Sequence, residues 1–270
     1  MNRLWLGLGS VLALIAIGAY FWLRQAPQQL PSPVPVVSAP VIVPATPAIN
    51  YPVQTPPGAT ELPPIELADD FVRERLAELL GAKTVKAYLQ SENLVRRVVA
   101  TVDNLARALA PPSRWPIYPT PGRFTVETGR DGSVIGAANA ARYAPFVALV
   151  ESVDTGRAVA LYQRLYPLFQ RAYESLGYPG KYFNDRLVAV IDLLLETPEP
   201  PGALKVELPD IQGPLKLTRP WVLYRFSDPA HEGLSSGQKI LLRVGRENEK
   251  RLKSKLAEIR KLIAGEKMSR

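Results

Sequence analysis

Residues 181–196 read KYFNDRLVAVIDLLLE, and this stretch decides how the folded part of the chain is built. Its apolar residues lie on several faces of a helix, not on one stripe: Phe183, Leu187, Val188, Val190, Ile191, Leu194 and Leu195. A helix that is hydrophobic all round is buried among other elements. The stretch therefore predicts a helix over 181–196 near the centre of the fold.

Amphipathic stripes on both sides of this helix predict the elements that pack around it. Apolar residues at i, i+3 and i+4 spacing predict five further helices. These run from Asp69 or Asp70 to Leu80, from a Ser91 cap to Pro111, over 144–153, and from Asp154 or Thr155 to Leu176, and the last is a charged helix whose apolar stripe is Leu252, Leu256, Ile259 and Ile263. Pro167 lies inside the fourth of them, where a proline costs ~3 kcal/mol and bends a helix.

Shorter stretches have the composition of strands. A hairpin is predicted over 124–135, with its turn at Arg130-Asp131-Gly132-Ser133. Two more strands are predicted over 204–208 and 215–226, around a Gln212-Gly213-Pro214 turn. The fold class is therefore mainly α (α+β): a compact helical domain with short β-hairpins over residues 62–264, followed by a disordered tail over 265–270.

The N-terminus has the pattern of a membrane anchor. Leu4 to Leu23 reads LWLGLGSVLALIAIGAYFWL, twenty residues without a charge. A helix of that length spans ~30 Å, the thickness of the hydrocarbon layer, and aromatic residues mark both ends. The alternative is a cleaved signal peptide, which needs small residues at its cleavage site. Tyr20 to Arg24 is bulky there, so we expect residues 1–24 to remain as a transmembrane anchor.

The charges that flank the anchor predict its orientation. Arg3 and the α-amino group lie before it, and only Arg24 follows before a long uncharged stretch. Cytoplasmic flanks carry the excess of positive charge. The pattern favours a cytoplasmic N-terminus and a periplasmic C-terminal domain in a single-pass protein of the bacterial inner membrane.

A proline-rich linker separates the anchor from the domain. Residues 25–60 contain no charged side chain, and prolines recur from Pro27 to Pro57. Proline has no N–H for a helix or a central strand, so we expect residues 25–61 to be a disordered, extended linker. Fully extended, it reaches ~120 Å at ~3.1 Å per residue. A functional stalk and a passive connection remain equally open, and a Pro-x-x-Pro ligand role is disfavoured because no basic residue flanks these prolines.

The positive charge of the chain is local. The net charge is +8, and residues 239–270 hold eleven Lys or Arg against four Glu, which leaves about +1 for the rest. Pairs such as Glu247 with Arg251, four residues apart, are typical of a solvated helix that packs by its apolar stripe. Attraction to anionic headgroups or acidic envelope polymers is the alternative. Poor aromatic interleaving argues against nucleic acid as a partner.

The residue types exclude several kinds of chemistry. The chain has no cysteine and one histidine, so disulfides, thiolate nucleophiles and cysteine-ligated zinc are excluded. His231 lies in a predicted capped turn, and no phosphate loop or dinucleotide fingerprint is present. We therefore predict no catalytic residue, no metal site and no cofactor. The carboxylates that remain as candidates by type for acid–base chemistry are Glu151, Asp185, Asp192 and Glu196.

Six separate strings occur in an order that resembles a known family. They are Thr101-Val102-Asp103-Asn104-Leu105-Ala106, Ala141-Arg142-Tyr143, Leu161 to Leu168 (LYQRLYPL), Leu176-Gly177-Tyr178-Pro179, Tyr182 to Leu187 (YFNDRL) and Arg219 to Phe226 (RPWVLYRF). Together they resemble the bacterial domain-of-unknown-function family 3014, over Leu62 to Arg260. The resemblance implies an N-terminal anchor, a proline-rich linker and export into a Gram-negative envelope. It implies no activity and no catalytic residues.

A binding role is the leading hypothesis. We expect a non-enzymatic envelope binding or scaffold module, with an envelope protein or glycan as the partner. An envelope enzyme that acts on glycans or peptides with its carboxylates is one alternative, and a mechanical spacer is another. Polar residues set among aromatic ones are the candidate binding residues: Arg142, Tyr143, Tyr182, Asn184, Asp185, Arg219 and Arg225.

Overall fold

The structure, a computed structural model, describes residues 48–54, 61–210 and 218–264. The anchor predicted over 1–24, most of the predicted linker and the predicted tail over 265–270 lie outside these residues. Within the described ranges, no helix combines the length and the apolar character that crossing a membrane requires.

The described residues form nine α-helices and a small antiparallel sheet. The helices are α1 (Ala68–Leu80), α2 (Ala82–Tyr88), α3 (Leu94–Leu105), α4 (Ala137–Ser152), α5 (Thr155–Ser175), α6 (Phe183–Leu195), α7 (Pro229–Glu232), α8 (Ser236–Val244) and α9 (Arg246–Ala264). The strands are β1 (Val126–Gly129), β2 (Gly132–Ile135), β3 (Lys205–Glu207) and β4 (Arg225–Phe226). Short 3-10 helices cover Ile65–Leu67, Pro112–Arg114 and Pro220–Val222.

Helix α6 lies at the centre, as its sequence predicts. It contacts α3, α5, α8 and α9. Its first residue, Phe183, is buried in a cluster with residues of α1, α3 and α5, while Val188 and Ile191 belong to a second cluster with α5 and α9. Val190 and Leu194 face a third cluster with α3 and α8. Because each face of α6 meets a different neighbour, this helix joins the separate parts of the core.

The four strands pair in sequence order at one side of the helices. Val126 pairs with Ile135 across the predicted hairpin, and β3 adds to β2. The prediction of a strand over 215–226 is wrong for most of the described residues 218–226. In that range, only Arg225–Phe226 pairs with β3. Residues 220–222 form a 3-10 turn instead, because Pro220 has no N–H to donate to a ladder. The turn predicted at Gln212-Gly213-Pro214 lies outside the described residues.

Two helix caps differ from the prediction. Asp69 does not cap its own helix, because α1 begins at Ala68; its carboxylate accepts hydrogen bonds from the backbone N–H groups of Asn93 (2.6 Å) and Leu94 (3.0 Å). The second predicted helix therefore begins at Leu94, beyond Ser91, and a side chain from another helix satisfies its first N–H groups. The cap predicted at Asp154 is confirmed, since its carboxylate accepts from the Arg157 N–H at 2.7 Å.

Three helices were missed or predicted too short. Helices α2 and α8, of seven and nine residues, are too short for their apolar spacing to stand out. Helix α4 begins at Ala137, seven residues before the predicted start at Ala144, and it contains Pro145. A proline inside a helix removes one backbone donor, which is why the sequence indicated a shorter helix.

Candidate functional site

A segment of the predicted linker lies against the start of α6. In this segment, residues 48–54, hereafter the docked segment, Asn50 and Tyr51 approach the carboxylate of Asp185. Asp185 Oδ2 accepts from the Asn50 backbone N–H (3.0 Å) and side-chain amide (3.1 Å). Asp185 Oδ1 accepts from the Tyr51 N–H at 2.8 Å. One carboxylate therefore binds two consecutive backbone donors and the side chain between them.

Asn184, the residue before Asp185, binds the same segment from the other side of the peptide unit. Its side chain is fully buried. Its amide Nδ2 donates to the Tyr51 carbonyl at 2.8 Å and to the Ile263 carbonyl, at the end of α9, at 3.2 Å. Together, Asn184 and Asp185 form hydrogen bonds with both the N–H and the C=O of Tyr51, a pattern that suits an extended backbone.

The side chain of Tyr51 packs on apolar residues. It lies against a cluster formed by α5, α6 and α9, whose buried members are Val159, Val188, Ile191 and Ile263. Pro52 follows Tyr51, and a residue before proline is held near extended geometry. The contact therefore combines hydrogen bonds to main-chain atoms with apolar packing of one aromatic ring.

A half-buried tyrosine contributes to the orientation of the Asn184 amide. The Tyr162 hydroxyl donates to Asn184 Oδ1 at 3.0 Å. Burial raises the pKa of the Tyr162 phenol far above its ordinary value, with the nearby Tyr166 adding to the effect. The Tyr51 and Ile263 carbonyls can only accept, so Nδ2 of Asn184 must face them, and Oδ1 is left to accept from the protonated phenol. The Asn184 amide group that donates to the Tyr51 carbonyl is thus oriented by neighbouring residues.

An ionic cluster around a buried carboxylate lies one residue further along α6. Asp103 of α3 is 3% exposed, and its Oδ1 accepts from Arg186 Nε at 3.0 Å. Its Oδ2 accepts from Arg107 at 2.7 Å and from the Tyr178 hydroxyl at 3.1 Å. Arg186 also donates to the Asp103 carbonyl at 2.9 Å. Both oxygens of this buried carboxylate therefore accept hydrogen bonds, as a buried charge requires.

The ionic cluster and the docking residues share one turn of helix. Asn184, Asp185 and Arg186 are consecutive, so successive side chains point about 100° apart around α6. When Arg186 pairs with Asp103, the rotation of α6 about its axis is fixed, and with it the direction of Asp185. The cluster was not among the residues predicted for the site, and it positions two of them.

Arg142, a predicted site residue, forms hydrogen bonds with the loop of residues 120–122. Its guanidinium donates to the carbonyls of Thr120 (3.4 Å), Pro121 (3.0 Å) and Gly122 (3.3 Å) and to Asn139 Oδ1 at 2.8 Å. These contacts pin the 120–122 loop against α4. The donors of Arg142 are directed at backbone groups of the chain itself.

The other predicted site residues fall in different places. Tyr143 is half-buried beside the Arg142 guanidinium, 5.3 Å from its ring centre. Arg225, on β4, pairs with Glu207 of β3 at 2.7 Å, and Arg219 is exposed before the 3-10 turn. Of the seven predicted residues, only Tyr182, Asn184 and Asp185 lie together at the start of α6. Tyr182 is the half-buried residue that precedes the helix.

The remaining carboxylates do not gather into one site. Asp192 pairs with Arg260 and Glu151 with Arg251, while Glu196 is exposed at the end of α6. His231 stacks edge-on against Phe226 and pairs with Asp228. In the part of the chain that the structure describes, no three acidic or histidine side chains are grouped so that they could hold a metal ion.

Comparison with known proteins identifies the family. A family model described as protein of unknown function (DUF3014) matches residues 94–260, more than half of the chain. The chain belongs to this family. The match covers the Asp103 cluster and the docking residues of α6, so both lie in the DUF3014 part of the chain. Searches of curated proteins and of solved structures find no match.

The Asp103 cluster predicts a large effect on stability. Replacing Asp103→Asn leaves two guanidinium groups without their shared anion, so we expect the free energy of unfolding to fall by roughly 3 kcal/mol. Urea unfolding followed by circular dichroism measures it. The matched control is Asp70→Asn on α1, whose side chain is 84% exposed in its pair with Arg73 and should change stability by less than about 1 kcal/mol. Equal effects of the two substitutions would contradict the assigned role.

Proposed function

We propose that this DUF3014 protein is a tethered, non-enzymatic binding module of the bacterial envelope, and that its domain recognises extended peptide segments through Asn184 and Asp185. The observation that supports this function is the contact with the docked segment: four hydrogen bonds to Asn50 and Tyr51, three of them to main-chain atoms. The partner is an envelope protein with an exposed extended stretch.

The form of the contact favours binding over catalysis. Peptide-binding domains commonly gain affinity from main-chain hydrogen bonds and specificity from pockets for particular side chains. The carboxylate of Asp185 accepts its hydrogen bonds from N–H donors of the docked segment. An envelope enzyme that used Asp185 would need Arg142, Arg219 or Arg225 beside it, and no contact between Asp185 and these arginines is described. The favoured ligand has an asparagine followed by an aromatic residue and a proline, as in Asn50-Tyr51-Pro52.

The linker explains how the site is filled in the isolated chain. The docked segment is covalently joined to the domain a few residues further along the same chain, which gives it an effective concentration at the site of about millimolar. A partner in the envelope must therefore compete with the docked segment, and it gains access when that segment leaves. Release also frees a longer part of the linker, which extends the reach of the domain.

The proposed location follows from the N-terminal sequence. Leu4 to Leu23 anchors the chain in the inner membrane, Arg3 lies on the cytoplasmic side, and the domain is periplasmic. In that arrangement, the linker begins at the outer face of the membrane and presents the domain to partners in the periplasm.

Peptide binding is testable with the full-length chain. We expect the substitutions Asn50→Ala and Tyr51→Ala together to weaken the contact of the docked segment, because they remove one hydrogen bond and the ring contact, so that an added peptide can displace it. A labelled peptide of residues 46–54 should then bind, as measured by fluorescence anisotropy. Adding Asp185→Asn should weaken binding roughly tenfold or more, since a neutral amide replaces an anion that accepts three hydrogen bonds.

The matched control is Glu196→Gln, at the exposed far end of the same helix, which should leave peptide affinity unchanged. A second control is the same peptide with alanine at positions 50 and 51, which should not bind. Equal affinity with and without Asp185→Asn, or equal affinity of both peptides, would refute recognition by this site.

The proposed topology has its own test. A reporter that is active only in the periplasm, fused after Arg270, should be active, and a reporter active only in the cytoplasm should be silent. The reverse pattern would contradict the periplasmic location and leave the peptide-binding result unaffected.

A further inference from the structure

The docked segment lies where the start of α6 meets the end of α9. Asn184 Nδ2 donates to the Tyr51 carbonyl and to the Ile263 carbonyl, so one side chain joins the segment to both helices. The Tyr51 side chain is half-buried and packs on the apolar cluster whose buried members include Ile191 of α6 and Ile263 of α9. The ring therefore lies at the junction of these two helices.

An ion pair crosses the same junction further along α6. Asp192 follows Asp185 by seven residues, which places it on nearly the same face of the helix and about 10.5 Å along its axis. Both oxygens of Asp192 accept from Arg260 of α9: Oδ1 accepts from Nε, and Oδ2 accepts from Nη2 at 3.1 Å. A guanidinium that binds a carboxylate through two nitrogens is held in one orientation. The Arg260 side chain is 20% exposed, so water reaches only a small part of it.

The phenol of Tyr51 interacts with this guanidinium. The hydrogen bond to Asp192 is the largest cause that raises the pKa of Arg260; burial acts in the opposite direction, and the interaction with the Tyr51 phenol adds a smaller increase. A guanidinium has five N–H donors, and Asp192 takes two of them, so donors remain for a phenol oxygen. The segment thus binds Asp185 through its backbone and meets Arg260 with the end of one side chain.

We propose that Arg260 is the specificity-determining residue of the peptide site, and that its guanidinium, held by Asp192, donates to the hydroxyl oxygen of a tyrosine in the ligand. This inference rests on the peptide recognition proposed above, and it narrows the ligand from one with any aromatic residue to one with tyrosine. A phenylalanine in that place keeps the apolar packing of the ring. It leaves a donor of the half-buried guanidinium without its acceptor, which lowers affinity.

Two peptides test the contact with the full-length chain. Both span residues 46–54, one with the natural sequence and one with Tyr51→Phe, and neither has a charged side chain. The protein carries Asn50→Ala and Tyr51→Ala, so that its own segment competes weakly. Fluorescence anisotropy should show the tyrosine peptide binding roughly tenfold more tightly than the phenylalanine peptide, because only the tyrosine accepts a hydrogen bond from a charged donor.

Arg260→Met in the same protein tests the donor. Methionine has an unbranched side chain and no N–H, so the two peptides should then bind with equal affinity. If Arg260 had only a structural role, its loss would weaken both peptides equally and leave the tenfold preference in place. Lys261→Met is the matched control, because it removes a cation from the exposed face of the same turn of α9, and it should leave both affinities unchanged.

Two results would overturn the proposal: equal affinity of the two peptides for the protein that keeps Arg260, or a tenfold preference that survives Arg260→Met. Should Arg260→Met fail to fold, Arg260→Lys takes its place, since lysine keeps the charge without the planar set of donors and should reduce the preference. If the preference is absent but Asp185→Asn still weakens both peptides, the specificity inference fails and peptide recognition stands. If neither peptide binds, both proposals are refuted.

Discussion

The pairing of Asp103 with two arginines and a tyrosine is the constraint on which the rest of the domain depends. A carboxylate buried to 3% exposure is stable only when donors surround it, and here the donors come from the turn after α3, from the turn after α5 and from α6. These three parts of the chain must therefore meet in one arrangement. The apolar clusters on either side of α6 add most of the stabilising burial, but burial alone tolerates small rotations of a helix. The ionic cluster fixes the rotation of α6 and so decides where Asn184 and Asp185 point.

This dependence connects the fold with the proposed function. Arg186 binds the buried Asp103, and the two residues before it bind the docked segment, so both sets of contacts come from one turn of α6. The strings that carry the family resemblance contain Asp103, Tyr178 and residues 184–186, although they are far apart in the sequence. In the folded domain, these residues lie next to one another. A site that rests on such a turn keeps its geometry when the docked segment leaves, which is what a binding module needs.

Much of the helical architecture was predictable from apolar spacing, because α1, α3, α5, α6 and α9 are long enough to show a stripe or an all-round apolar pattern. Contacts between distant parts of the chain were not. Asp69 looked like a cap of its own helix and instead caps α3, since a carboxylate binds whichever N–H groups the tertiary fold brings near. Asp103 continues the buried stripe of Val95 and Val99, and a charged residue at such a position is the one local signal of the ionic cluster. Residues 182, 184 and 185 were predicted for the site, but nothing local joins Asn184 to Tyr51, 133 positions away. For the same reason, Arg142 and Arg225 were grouped with Asp185 by residue type, whereas their described hydrogen bonds are with the 120–122 loop, Asn139 and Glu207.

The central claim is that the turn fixed by Asp103 holds residues 50 and 51 of the linker. Amide hydrogen exchange in the full-length chain tests it most directly, because the N–H groups of Asn50 and Tyr51 donate to Asp185, while no hydrogen bond is described for the N–H of Val53. The account predicts that exchange at Asn50 and Tyr51 is markedly slower than at Val53, within the same segment. Exchange at Asn50 and Tyr51 as fast as in an unstructured peptide would contradict it.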